Sequence, residues 1–253
     1  CVALGTADGN AGQGLMRGLF AAIGFLTRIP VPARVFVGAS SPSAQLAWYP
    51  AVGLLIGALL WCLGWLLSGA EPMLAAGLLL VAWVALTGAL HLDGLADSAD
   101  AWVGGLGDRD RTLSIMKDLR SGPIGVTSIV LVLLLKFVAL ASVPQPSAML
   151  WLAPLLGRAL LTAAFMSTPY VRSGGLGSGL VGEPRAACSM ALLLTAIAAL
   201  FAGWQGVRAI VVAALVFACW RWSCMRRLGG MTGDTCGALT ELAEAAILVA
   251  LAL

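Results

Sequence analysis

The sequence predicts an all-α protein, a polytopic bundle of helices within a membrane. Of its 253 residues, 60% are hydrophobic and only 11% are charged, and the mean hydropathy is strongly positive. Soluble domains carry about 25% charged residues, so this composition excludes an ordinary soluble fold. The second observation is a series of apolar runs, most of them close to the roughly 20 residues that a helix needs to cross a bilayer.

About seven of these runs are predicted to span the membrane, all within a single membrane domain. They cover residues 46–67, 73–92, 122–143, 148–168, 186–203, 207–222 and 238–253. Ahead of them, residues 13–34 predict an interfacial or re-entrant helix, because the apolar stretch between Arg17 and Arg28 is too short to span. Residues 1–12 are small and polar and predict a disordered leader.

The basic residues are distributed unevenly along this topology. Twelve of the fifteen Lys and Arg residues lie in the N-terminal segment and in the loops at 93–121, 169–185 and 221–237. The predicted spans place all four segments on one side of the membrane. An excess of Lys and Arg marks the cytoplasmic side, so these loops are predicted to face the cytoplasm.

Three aspartates interrupt the apolar sequence directly after the second predicted span. Asp93, Asp97 and Asp100 follow one another at spacings that a helix of about 100° per residue brings onto one stripe. Three carboxylates so close repel one another unless they are protonated or bind a cation. Oxygen-only ligands suit Mg²⁺ or Mn²⁺, so the stripe indicates a metal site. The alternative is a helix end whose acids merely face water.

A second group of acids precedes the last span, and two cations lie within other spans. Asp234, Glu241 and Glu244 form the acidic group, in which Glu241 and Glu244 are three residues apart and pair on one helix face. Lys136 and Arg158 interrupt the third and fourth spans, where a cation normally points into the bundle. For Arg158, binding an anion is favoured over snorkelling to an interface.

Acids on one stripe, with several cations nearby, predict a site for a metal-chelated phosphate or pyrophosphate. Arg would hold phosphate oxygens as a fork and Lys as a point charge. Spacing alone supports phosphoryl or prenyl transfer in the membrane without choosing between them.

Four blocks of sequence, in the same order, resemble the cobalamin synthase family of adenosylcobinamide-GDP ribazoletransferases. They are Phe25-Leu26-Thr27-Arg28-Ile29-Pro30-Val31-Pro32, His91-Leu92-Asp93-Gly94-Leu95-Ala96-Asp97-Ser98-Ala99-Asp100-Ala101, Met116-Lys117-Asp118-Leu119-Arg120-Ser121-Gly122-Pro123-Ile124-Gly125 and Gly230-Met231-Thr232-Gly233-Asp234-Thr235-Cys236-Gly237-Ala238-Leu239-Thr240-Glu241. The resemblance runs from about residue 15 to the end. It implies a Mg²⁺-dependent enzyme of the bacterial cytoplasmic (inner) membrane, with its active site facing the cytoplasm. Such an enzyme joins adenosylcobinamide-GDP to α-ribazole or its 5′-phosphate and releases GMP.

The resemblance also implies roles for particular residues. Asp93 and Asp97 are expected as metal ligands, and Asp100 as a third ligand or as the general base. The residues expected to contact substrate phosphates are Lys117, Arg120 and Arg158. Asp118 would orient one of these cations. A second metal, or the guanine or ribose, would be held by Asp234, Glu241 and Glu244. His91 is either a residue that orients a ligand or a satisfied histidine at a helix end.

The expected partners are the corrinoid-GDP and ribazole substrates and the lipid bilayer, with no nucleic acid. Other enzymes of cobalamin assembly and a second copy of the chain stay open as partners. Two other functions remain as alternatives. A CDP-alcohol-type phosphotransferase also uses paired acid motifs on membrane helices, whereas a metabolite transporter would show internal symmetry between its halves, and the sequence has no such repeat.

Overall fold

Helices make up nearly all of the computed structural model, which describes residues 7–35, 42–118, 120–172, 177–180 and 185–253. Within these ranges the helices are α1 (Ala7–Leu26), α2 (Tyr49–Leu66), α3 (Pro72–Thr87), α4 (Leu90–Gly104), α5 (Arg109–Ile115), α6 (Pro123–Ala141), α7 (Met149–Ser167), α8 (Arg185–Leu200), α9 (Trp204–Leu228) and α10 (Gly233–Ala252). No strand longer than an isolated bridge occurs in the described chain. The predicted fold class, a polytopic helical membrane protein, is confirmed.

The number of spans is smaller than the seven predicted. In the described ranges, five helices are long and apolar enough to cross a bilayer, and a sixth span results if α3 and α4 are counted together. The five are 45–66, α6, α7, α9 and α10. Helix α8 has only 16 residues and falls short of this length.

The predicted span at 73–92 is interrupted by a sharp turn. Gly88 and Ala89 both adopt left-handed backbone conformations, with φ of 63° and 58°. A glycine in this conformation is a common helix terminator because it lacks a Cβ. Helix α3 therefore ends at Thr87, and α4 continues at 87° to it. The turn separates the acidic helix from the apolar one before it.

The N-terminal helix also differs from its predicted bounds. Helix α1 begins at Ala7, inside the predicted leader, and ends at Leu26, before the prolines. Its apolar part, 16–26, is too short to cross a bilayer, as predicted for an interfacial or re-entrant helix. Residues 1–6 of the predicted leader lie outside the described residues.

Helices α7 and α10 form the centre of the bundle. In an apolar stretch of 18 residues within each, 72% of the residues are buried, against 28% for α6 and 17% for α9. Helix α10 contacts α4, α6, α7 and α9, and α2 packs along α7. The outer face of α6 exposes large apolar side chains such as Leu131, Leu134 and Leu135, as expected for contact with lipid.

Candidate active site

A cavity of about 610 Å³ opens where α4 meets the first turn of α10 and the end of α7. This size suits a ligand of drug-like dimensions. Its charged lining residues are Asp93, Asp97, Asp118, Asp234, Lys117 and Arg172, and its aromatic ones are Phe25, Tyr49, Phe165 and Tyr170. The structure thus brings the first acidic stripe and part of the second acidic group to one place.

Close packing between α4 and α10 brings these acids together. A Cβ built on Gly94 would lie 2.7 Å from the carbonyl oxygen of Asp234, and one on Gly237 would lie 3.1 Å from the carbonyl oxygen of His91. The two helices can approach this closely only because neither position carries a side chain. Asp93 and Asp97 therefore face the same cavity as Asp234.

The N-terminus of α10 is held in a capping box. The Thr232 hydroxyl accepts a hydrogen bond from the Thr235 amide, and the Thr235 hydroxyl accepts one from the Thr232 amide. Reciprocal bonds of this kind fix the first turn of a helix. Asp234 lies in that turn, where its negative charge interacts favourably with the helix dipole.

Arg172 forms an ion pair with Asp234 inside the cavity. The Arg172 Nη1 donates a hydrogen bond to Asp234 Oδ2 at 2.7 Å. A short parallel bridge holds the two segments together, since the Val171 amide donates to the Met231 carbonyl and the Met231 amide to the Pro169 carbonyl. Arg172 thus reaches the cavity from the segment that follows α7.

His91 lies at the deep side of the cavity and is 4% exposed. Its Nδ1 has no hydrogen-bond partner among the described residues. Buried polar atoms normally have a partner. That nitrogen is itself buried, so it is not exposed to the open cavity.

Lys117, Asp118 and Arg120 lie on the connection between α5 and α6. Lys117 and Asp118 line the cavity, whereas Arg120 is exposed and outside it. Two bonds of 3.1 and 3.0 Å from its guanidinium to the Asp118 carboxylate hold Arg120, and they lower the pKa of Asp118 below its usual value. Asp118 thus holds a cation, but that cation lies outside the cavity.

Asp100 is directed away from the cavity. Its two carboxylate oxygens accept hydrogen bonds from the amides of Gly122 and Gly125, at 2.6 and 2.9 Å. It is not among the residues that line the cavity. Of the three acids on the predicted stripe, the structure therefore brings two to the site.

The remaining predicted residues form a buried charge cluster that is separate from the cavity lining. Lys136 donates to Glu241 at 2.6 Å and to Glu244 at 2.5 Å, and Arg158 donates to Glu244. All four side chains are almost fully buried, and the two cations balance the two anions. On α10, Glu244 lies ten residues beyond Asp234, about 15 Å along the axis. The structure thus does not bring Arg158, Glu241 or Glu244 to the cavity.

Comparison with known proteins shows which family the chain belongs to. A family model described as cobalamin-5-phosphate synthase matches residues 18–252. The chain belongs to this family. Proteins named adenosylcobinamide-GDP ribazoletransferase are 54% identical over 93% of the chain and 97% of the relative in Stutzerimonas stutzeri A1501, and 53% identical over 92% and 97% in Pseudomonas syringae pv. syringae B728a. No solved structure matches the chain.

Of the four aspartates that line the cavity, Asp118 pairs with Arg120, and the chemistry of the other three fits a divalent metal. Asp93, Asp97 and Asp234 supply only oxygen donors, which Mg²⁺ prefers. Among the described residues, no group of three His, Cys, Asp or Glu side chains is arranged to hold a metal by itself. Mg²⁺ is commonly bound by one or two carboxylates together with substrate phosphates, so the donor set fits a site that the substrate completes.

Sequence reasoning missed Arg172 and the aromatic residues of the cavity. Arg172 and Asp234 are 62 residues apart, and no local spacing relates them. Phe25 stacks with Tyr49, and Phe165 stacks with Tyr170, at centroid distances of 6.2 and 5.9 Å. The one local signal for Arg172 was its position at the start of a glycine-rich loop. That position does not reveal which acid Arg172 pairs with.

Proposed function

We propose that this chain joins adenosylcobinamide-GDP to α-ribazole, or to α-ribazole 5′-phosphate, and releases GMP. The product is adenosylcobalamin or its 5′-phosphate. The observation that carries the proposal is a single cavity in which Asp93, Asp97 and Asp234 face Arg172. Relatives named adenosylcobinamide-GDP ribazoletransferase match more than nine tenths of the chain.

The reaction exchanges a phosphoanhydride bond for a phosphodiester bond. A ribose hydroxyl of the ribazole attacks the phosphorus nearer the corrinoid, the bond from that phosphorus to the bridging oxygen breaks, and GMP leaves with that oxygen. Arg172 and Lys117 are the cations placed to hold the non-bridging oxygens, Arg as a fork and Lys as a point charge. His91 also lines this cavity, and the proton of the attacking hydroxyl leaves to solvent.

We assign Mg²⁺ to the same site as its cofactor. Asp93 and Asp97 would hold it, with Asp234 as a further oxygen donor. When bound, it neutralises phosphate oxygens and stabilises the charge that develops on GMP.

The aromatic residues suit the heterocyclic parts of the substrates. The stacked pairs Phe25–Tyr49 and Phe165–Tyr170 both line the cavity. Nucleic bases stack readily on such rings, and the contribution is about 1–3 kcal/mol per base. We therefore place the guanine or the ribazole base against this wall.

We further place the protein in the bacterial cytoplasmic membrane with the cavity open to the cytoplasm. The cavity is lined by residues from the loops at 93–121, 169–185 and 221–237, which carry most of the basic residues outside the N-terminal segment. Basic loops remain on the cytoplasmic side.

The test is direct measurement of GMP release by purified protein in lipid nanodiscs. Adenosylcobinamide-GDP and Mg²⁺ are supplied with α-ribazole or its 5′-phosphate, and Asp97→Asn protein serves as the control for contaminating activity. GMP released with either acceptor, and absent from the control, supports the proposal. CMP release from a CDP-alcohol, without GMP release from the corrinoid, would instead identify a CDP-alcohol phosphotransferase.

A further inference from the structure

Asp100 caps a helix other than its own. Helix α6 begins with Gly122 at the N-cap position and has Gly125 as its third helical residue. In a capping box, the side chains of these two positions accept hydrogen bonds from each other's amides. Both residues here are glycine and have no such side chain. Asp100, which projects from α4, supplies both hydrogen bonds instead.

The two glycines leave only enough room for this carboxylate. A Cβ built on Gly122 would lie 2.5 Å from Asp100 Oδ1, and one on Gly125 would lie 2.5 Å from Asp100 Oδ2 and 3.0 Å from the carbonyl oxygen of Ala96. Heavy atoms do not approach to such distances, so a side chain at either position must displace the Asp100 carboxylate. The contact therefore depends on Gly122 and Gly125 as well as on Asp100.

The contact also occupies the atoms that a catalytic role would require. Each oxygen of Asp100 accepts one backbone amide, at 2.6 and 2.9 Å. Asp100 does not line the cavity, whereas Asp93 and Asp97 on the same helix do.

We propose that Asp100 is a positioning residue: by capping α6 it fixes the orientation of α4 and with it the metal-binding carboxylates of Asp93 and Asp97. This inference rests on the proposed function for its kinetic test. Helix α4 is then held at two points, at Gly94 by its packing on α10 and at Asp100 by the amides of α6. The role differs from the metal ligand or general base predicted from the sequence.

Two variants disturb the contact from opposite sides. Asp100→Asn keeps the shape but replaces one acceptor by a donor that faces an amide, whereas Gly125→Ala keeps the carboxylate and displaces it. Gly77→Ala on α3 is the matched control, because the nearest atom to its new Cβ is 3.7 Å away. Asp97→Asn provides the comparison for a direct ligand.

The first readout is kinetic, with kcat and the Mg²⁺ concentration for half-maximal rate measured separately. Loss of a group that orients metal ligands costs about 10- to 100-fold in metal affinity or activity. We expect Asp100→Asn and Gly125→Ala each to raise the Mg²⁺ requirement about tenfold with kcat largely kept, and excess Mg²⁺ to restore the rate. The double variant should be no worse than the worse single one, since both break one contact.

Three kinetic results would overturn the inference. Asp100→Asn could abolish turnover at every Mg²⁺ concentration while Gly125→Ala behaves as wild type, which would make Asp100 a group that touches the reactants. Both variants could keep wild-type kinetics and lose only thermal stability, which would leave the cap a purely structural contact. Gly77→Ala could reproduce the change in Mg²⁺ requirement, which would make that change a general effect of altering a helix.

The second readout does not depend on the reaction. Binding of Mn²⁺ in the presence of GDP is followed by electron paramagnetic resonance, and we expect Asp100→Asn to weaken it about tenfold and Asp97→Asn to abolish it. Wild-type protein that releases no GMP but binds Mn²⁺ in this pattern refutes the proposed function and supports the positioning role. Equal Mn²⁺ binding in wild type and Asp100→Asn, or no binding in any of them, overturns the positioning role.

Discussion

Lys136 on α6 and Glu241 on α10 form an ion pair of 2.6 Å in the interior of the bundle. Lys136 also reaches Glu244, which pairs in turn with Arg158 on α7. The cluster joins three helices and is electrically neutral as a whole. Removing one member leaves an uncompensated buried charge, whereas removing an opposite pair does not.

Lys136→Met should therefore destabilise the protein strongly, by about 3–5 kcal/mol, because Glu241 and Glu244 then share one cation. Adding Glu241→Gln restores neutrality, and the double variant should melt at a higher temperature than Lys136→Met alone. Thermal unfolding in detergent measures both effects. Leu135→Met, on the exposed side of the same helix, is the control. A double variant that melts below Lys136→Met would contradict the charge-balance argument.

Asp97→Asn should abolish most of the activity without unfolding the protein. The change keeps the shape of the side chain but removes a charge that faces the cavity, and losing a major electrostatic contribution costs at least about a hundredfold in turnover. GMP release across a Mg²⁺ titration provides the measurement, with the melting temperature as a control for folding. Near-normal turnover would remove Asp97 from the metal ligands.

Asp93 should couple energetically to Asp234 and not to Glu241. The resemblance implies active-site roles for both Asp93 and Glu241, but Asp234 shares the cavity with Asp93 whereas Glu241 pairs with Lys136. Effects of residues in one site are not additive, and those of separate sites are. We expect Asp93→Asn with Asp234→Asn to lose less in ln(kcat/KM) than the sum of the single losses, and Asp93→Asn with Glu241→Gln to be additive. The reverse pattern would return Glu241 to the active site.

Arg172→Gln should weaken substrate binding far more than Arg120→Gln. Hydrogen bonds to charged groups contribute about 1.5–3 kcal/mol, so losing the cavity guanidinium should raise KM about 10- to 100-fold. Arg120 is 89% exposed and outside the cavity, which makes its variant the matched control. Arg172→Lys keeps the charge and should recover part of the loss. Equal effects at the two positions would exclude a specific role for Arg172.

Reporter fusions should place the loops at 93–121 and 221–237 in the cytoplasm. The expectation follows from the excess of Lys and Arg in these loops. Fusions in the charge-free connection at 143–147 are the control and should report the opposite side. A periplasmic signal from either basic loop would overturn the proposed orientation of the cavity.

The sequence by itself determined the fold class, the positions of most apolar helices and the acidic stripe of α4. Each of these is encoded locally: apolar runs of bilayer length, and aspartates at helical spacing. The end of α3 at Gly88 was not predicted, because the apolar run continues past this glycine. What is periodic within one helix can be read from its residues alone.

The tertiary structure alone decided which charges meet. Asp234 is paired with Arg172 by a bridge between distant segments, Asp100 with the amides of α6, and Glu241 with Lys136, which is 105 residues away. The periodicity of α4 places three acids on one stripe, but the stripe spans two environments, so Asp93 and Asp97 face the cavity and Asp100 faces α6. Pairing across helices depends on packing distances that glycines such as Gly94 and Gly125 permit, and no spacing within one segment encodes them.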